Sequence, residues 1–193
     1  MRGPNREGKS ILQGQVSYGA AARGFHWLTV ALLLVIIPIG LVMGDLPRGI
    51  VQNTFFVTHE SLGLTVLALT LARFLWRLGH PPPPSRDLNR LERGTSAGVH
   101  ALLYAVLIIT PVTGYLFVTL SDINVSYFGL VHVPALVAPD KPTGKILGAI
   151  HVSLQWAIYA LAAMHIGAAL HHYFIRHNDV LGRMLPSLRA RTR

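Results

Sequence analysis

Four long stretches of this chain carry almost no charge, and that limits its possible folds more than any other feature. Phe25 to Met43, Ala97 to Leu120 and Ile146 to Ile175 contain no Asp, Glu, Lys or Arg; Thr54 to Trp76 contains only Glu60 and Arg73. A helix of about 20 residues crosses the ~30 Å hydrocarbon core of a bilayer, so each stretch is long enough, and the last is expected to tilt or protrude. Four buried helices of a soluble domain are the alternative. Charged residues make up only 13% of the chain, about half the ~25% usual in soluble domains, which leaves too little to cover a water-facing surface. The expected fold is all-α: an integral membrane bundle of four transmembrane helices. Pro38 and Pro111 fall inside the first and third spans, which membrane helices tolerate when neighbours satisfy the freed carbonyls.

Residues 1–24 read as an N-terminal segment, 25–175 as the four-helix domain and 176–193 as a basic tail. The apolar run that begins at Phe25 is about 19 residues long, against ~7–15 for a signal-peptide core, so this segment is expected to persist. Thirteen basic residues fall in the N-terminal segment, the second connection and the tail. Three, Arg48, Lys141 and Lys145, fall in the first and third connections. The positive-inside rule then places both termini in the cytoplasm. The run from His80 to Pro84 should leave span two stiffly, because proline cannot continue a helix. The third connection, Ser121 to Lys145, is expected to lie on the outer surface as a short amphipathic cap.

The formal charge of +9 would ordinarily suggest nucleic acid as a partner. Here the basic residues lie between apolar blocks and form no stripe, so nucleic acid is set aside. The absence of cysteine excludes disulfides, iron–sulfur clusters and thiolate-ligated haem.

Ten histidines carry the functional argument, since a histidine within a membrane helix is by default a functional candidate. His151 and His165 share span four. Fourteen residues correspond to about 21 Å along a helix and to within roughly 40° of a whole number of turns, so both project from nearly one face, one toward each leaflet. His26 at the start of span one matches the depth of His165. His59, one to two turns into span two, matches that of His151. Four unrelated interfacial histidines are the bland alternative. Two ligands on one face, a leaflet apart, suit a stack of two haems, and nitrogen ligands on both sides of each iron favour electron transfer over oxygen chemistry. The expected cofactors are therefore two haem b, one held by His26 and His165 and the other by His59 and His151. Gly63, Gly148 and Gly167 would leave room for a flat macrocycle, although small residues are also ordinary at membrane helix contacts.

Arg73 and Arg77 either meet the propionates of the inner haem or snorkel to the interface. His100 binds a propionate or a quinone, serves as a substitute ligand, or is plainly interfacial. Arg48, Lys141 and Lys145 either form an outer positive patch that draws anions or are simply solvated. No site role is expected for His80, His132, His171, His172 or His177. A metal or proton transporter is disfavoured, because Glu60 is the only acid in any span and lies near an end.

Several segments then carry a resemblance: FHW at 25–27, His59 with Gly63, LARFLWRLGHPPPP at 71–84, GVHALLY at 98–104, and the run from His151 through His165 to HHYF and NDVLGRMLP at 178–186. In order and spacing the chain resembles the prokaryotic cytochrome b561 family, whose best-defined activity is superoxide:ubiquinone oxidoreductase (superoxide oxidase). The resemblance implies the same four haem ligands, His26, His59, His151 and His165, in a multi-pass protein of the bacterial inner membrane. It also implies ubiquinone as the quinone partner and superoxide or another outer-face electron donor. The competing expectation is a cytochrome b membrane anchor that serves a redox partner subunit of a respiratory dehydrogenase or hydrogenase-type complex.

Overall fold

The computed structural model describes residues 17–81 and 88–188. The proline run after span two extends into positions 82–84, outside the described residues, as do Arg86 and the basic residues of positions 1–16 and 189–193. The elements are α1 (Ala20–Val42), α2 (Ile50–Gly79), α3 (Arg90–Leu120), β1 (Val125–Tyr127), β2 (Val131–Val133), α4 (Lys141–Phe174) and a short 3-10 turn at Pro186–Leu188. All four α-helices are long and apolar enough to cross a membrane. Pro38 and Pro111 lie within α1 and α3.

Helices α3 and α4 start ahead of their apolar stretches at polar caps. Asn89 and Glu92 form a reciprocal capping box, each side chain bonding the other's backbone N–H at 2.8 Å, which satisfies donors that a helix start leaves unpaired. Thus α3 begins seven residues before its apolar run. At the start of α4 the Asp140 carboxylate accepts from the Thr143 hydroxyl at 2.6 Å and, more weakly, its backbone N–H at 3.4 Å. The Asp140 N–H donates to the carbonyl of Leu120 at 3.0 Å, which ties the end of α3 to the start of α4.

An apolar cluster of Val66, Val106, Leu107, Ile158 and Leu161 lies in the interior, yet hydroxyl side chains are buried beside it and many large apolar side chains face outward. Leu34, Trp156 and Ile166 are exposed, while Thr29, Ser61, Thr70, Thr110, Thr113 and Thr119 are buried. That distribution suits a surface that faces lipid tails and an interior where small residues let helices approach. Thr29, Ser61 and Thr119 donate to the carbonyls four residues earlier, so their hydroxyls carry their own hydrogen-bond partners into the bundle.

Consecutive helices pack together: α1 on α2, α2 on α3, α3 on α4. Helix α4 has no Cα atom within 8 Å of α1 or α2. It meets those helices through side chains instead.

The third connection takes the form of a hairpin over its first part, antiparallel with Val125 opposite Val133 and Tyr127 opposite Val131, and its last residues already belong to α4. Valine and tyrosine favour the extended pleat. Phe128 and Gly129 turn the chain with φ of 51° and 71°, the consecutive left-handed residues of a tight hairpin turn. Phe128 has a Cβ to accommodate in that region, and its N–H is held by the Ser61 hydroxyl at 2.7 Å. The Tyr127 and Thr65 hydroxyls share a hydrogen bond of 2.9 Å, and the Tyr115 hydroxyl donates to the Pro134 carbonyl at 2.6 Å. The hairpin is thus pinned to α2 and α3. At the opposite end of the bundle the tail folds back: Trp27 Nε1 donates to the Met184 carbonyl and the Tyr18 N–H to that of Arg183, each at 3.3 Å. These two ends are called the hairpin end and the terminal end below.

Candidate functional site

The sequence places two histidines on α4, and the structure gives each an opposite number. Toward the terminal end, His26 of α1 and His165 of α4 have ring centres 6.2 Å apart. Toward the hairpin end, His59 of α2 and His151 of α4 stand at the same 6.2 Å. Metal–imidazole nitrogen bonds are about 2 Å long, so two imidazoles that share one metal have ring centres roughly 6 Å apart. Both pairs meet that spacing.

The surroundings of the hairpin-end pair fit a large flat apolar group. A cavity of about 210 Å³, partly open to the outside, is lined by His59 and His151, by Ile36, Gly40 and Phe56, and by Gly114, Phe117 and Val125. The Nδ1 atom of His151 lies 2.7 Å from the carbonyl oxygen of Thr110. A carbonyl only accepts, so Nδ1 carries the proton and Nε2 keeps its lone pair, the form in which imidazole binds a metal. The Nδ1 atom of His59 is buried, and the imidazole has the backbone of Ile36 on α1 as its hydrogen-bonding neighbour. The room is made partly by glycines the sequence did not single out. A Cβ on Gly40 would fall 2.7 Å from His59 Cε1, and one on Gly114 would fall 2.8 Å from His151 Cε1. Of the expected glycines, Gly63 and Gly148 line the same cavity, whereas Gly167 has nothing within 4 Å of its Cβ position.

The terminal-end pair is surrounded by side chains. His100 stands 5.2 Å from His165, closer than His26 does, and Trp27 lies edge-on to His26 at 5.1 Å. One turn beyond His100, the Tyr104 ring carries the guanidinium of Arg73 at 5.4 Å and that of Arg77 at 6.0 Å. Neither arginine forms an ion pair among the described residues, unlike Arg176, which meets Glu92. Two cations over one ring, beside three imidazoles, form a basic cluster suited to carboxylates.

The other histidines are elsewhere. His80 stacks on Trp76 at 3.9 Å, His172 bonds Asn178 at 2.9 Å and His132 sits in β2. Arg48, Lys141 and Lys145 are exposed. The sequence reading missed Thr110, Gly40, Gly114 and Ser61. Nothing in their spacing distinguishes them from ordinary membrane-helix residues, because their roles depend on which helix lies opposite.

Four membrane-length helices organised around two pairs of facing imidazoles define a helical protein of the membrane-spanning type. Residues 17–187 match the family described as prokaryotic cytochrome b561. The chain is 33% identical over 171 residues to "Cytochrome b561 homolog 2" of Escherichia coli (strain K12), covering 87% of this chain and 90% of that protein. It is 26% identical over 170 residues to "Cytochrome b561 homolog 1" of the same organism, covering 83% and 92%. Against "Probable superoxide oxidase CybB" of Yersinia pestis it is 28% identical over 175 residues, covering 90% and 98%. The chain belongs to the prokaryotic cytochrome b561 family, and as such is a membrane haem b protein of the electron-transfer class.

Proposed function

We propose that this protein is a dihaem superoxide:ubiquinone oxidoreductase of the bacterial inner membrane, with both termini in the cytoplasm. The observation that carries the two-haem reading is the repeated 6.2 Å separation of His26 from His165 and of His59 from His151. Similarity to a protein named a probable superoxide oxidase supports the choice of substrate. Haem b held by His26 with His165 and by His59 with His151 would supply one-electron transfer. In the net reaction two superoxide ions each lose one electron to become oxygen, and ubiquinone takes up the two electrons with two protons to become ubiquinol.

The chain's own residues have three tasks. Four imidazoles hold the two groups at different depths on α4. At the terminal end, Arg73 and Arg77 neutralise propionates, and His100 lies within reach of the same anions. At the hairpin end, exposed Arg48, Lys141 and Lys145 raise the local concentration of an anionic substrate, an effect that salt screens.

The test is the purified haem-loaded chain in vesicles with ubiquinone, supplied with a superoxide source. Ubiquinol formation in a ratio of one to two superoxide consumed is expected, suppressed by superoxide dismutase. Quinone reduction that requires an added protein subunit would instead identify a membrane anchor of a larger dehydrogenase.

A further inference from the structure

The two histidine pairs sit in different kinds of surroundings. At the hairpin end, α1 and α3 each press a glycine against the imidazole of the helix that follows in the chain. The Cβ position of Gly40 lies 2.7 Å from His59 Cε1 and 3.2 Å from Nδ1, and that of Gly114 lies 2.8 Å from both Cε1 and Nδ1 of His151. These are ring atoms of side chains already packed in the cavity wall, so the approach is open only to glycine. No such contact exists near the other pair: Gly24, Gly98 and Gly167 have nothing within 4 Å of their Cβ positions. The terminal-end imidazoles touch rings, those of Trp27 and His100. A glycine of a neighbouring helix approaches each imidazole of one pair, whereas rings are in contact with those of the other.

We infer that Gly114 and the Thr110 carbonyl are positioning groups for His151, with Gly40 the counterpart for His59, and that they tune the hairpin-end centre independently of the terminal-end one. The inference rests on the reading of His59 and His151 as axial ligands. The carbonyl oxygen of Thr110 accepts from His151 Nδ1 at 2.7 Å and from the hydroxyl of buried Thr113 at 2.8 Å. Two donors share one oxygen, so withdrawal of either strengthens the bond to the other. A stronger Nδ1–H bond makes Nε2 more basic. A more basic ligand stabilises ferric over ferrous iron and lowers the midpoint potential, one of the levers by which a protein sets haem chemistry. Replacement of Thr113 by valine removes the competing hydroxyl with little change in shape. A methyl on Gly114 acts in the opposite sense, because it drives the imidazole away from the carbonyl.

The test is potentiometric titration with low-temperature electron paramagnetic resonance of the haem-loaded full chain. The variants are His151→Ala, Thr113→Val, Gly114→Ala and, as a control on the same helix in open space, Gly94→Ala. His151→Ala removes one ferric signal and so identifies the hairpin-end haem. Thr113→Val lowers the midpoint of that haem alone, and Gly114→Ala raises it and shifts its signal or removes that signal selectively; Gly94→Ala leaves both haems as they are. Should Gly114→Ala fail to assemble, the sign of the Thr113→Val shift decides. Unchanged midpoints in Thr113→Val, or equal shifts of both haems, would overturn the inference. His151→Ala that keeps both haems would overturn the ligand assignment beneath it, a distinguishable result.

Discussion

His26 and His165 bring their ring centres to 6.2 Å although the helices that carry them have no Cα atoms within 8 Å of each other. In a bundle held together by helix contact alone, such a gap would be filled by interlocking side chains or closed. Here Val66 of α2 packs in one cluster with Ile158 and Leu161 of α4, imidazoles span the gap at two further depths, and α4 has its backbone packing on α3. Haem would therefore serve the fold as well as the chemistry, joining α4 to α1 and α2.

Arg73 and Arg77 both lie over Tyr104. If they neutralise propionates of the terminal-end haem, Arg73→Gln removes a positive charge that favours the electron-rich state. The midpoint of that haem then falls, while the haem at His59 and His151 keeps its value. Arg73→Lys, which retains the charge but loses the planar fork, should shift it less. Potentiometric titration of the two variants checks the order.

Ser61 is wholly buried and accepts the N–H of Phe128. Ser61→Ala leaves that donor without its partner, at a cost of about 1–3 kcal/mol. The expected outcome is a lower thermal midpoint in detergent and faster hydrogen exchange over residues 125–133, with the terminal-end haem spectrum unaltered. Unchanged exchange in the hairpin would contradict the pinning.

Asn89 caps α3 reciprocally with Glu92. Asn89→Ala is expected to cost about 1 kcal/mol and to raise exchange in the first turn of α3. Glu92 also meets Arg176 at 3.4 Å with the arginine about half exposed, and exposed pairs contribute at most about 1 kcal/mol. Arg176→Ala should therefore disturb this turn less than Asn89→Ala does.

Orientation rests on charge asymmetry alone, and the chain lacks cysteine, which makes a single introduced thiol a clean reporter. A cysteine at Asp45 or Lys141 should react with an impermeant maleimide added to intact spheroplasts. One at Ser187 should react only after lysis. The reverse pattern would invert the topology.

Much of this fold was legible because a bilayer is a demanding solvent. Long uncharged runs have few alternatives there, so four spans could be counted directly, and the fourteen-residue interval between His151 and His165 fixed two depths on one face. The pairing with His26 and His59 followed from depth matching along antiparallel helices. What lay beyond the sequence was lateral: which helix stands beside which imidazole. Gly40 and Gly114 read as ordinary small residues, and Thr110 acts through a carbonyl that every residue possesses. The hairpin was missed because Ser121 to Lys145 mixes polar and apolar residues with no sustained period. Its two strands are only three residues each and gain their order from Ser61, Thr65 and Tyr115, which are distant in sequence.

Haem stoichiometry tests the central claim most directly. Pyridine haemochrome analysis of the purified chain should give two haem b per polypeptide, one in His151→Ala or His59→Ala, and one in His165→Ala or His26→Ala, with helical circular dichroism retained. A colourless protein, or a single haem that persists in both His151→Ala and His165→Ala, would contradict the two-pair account.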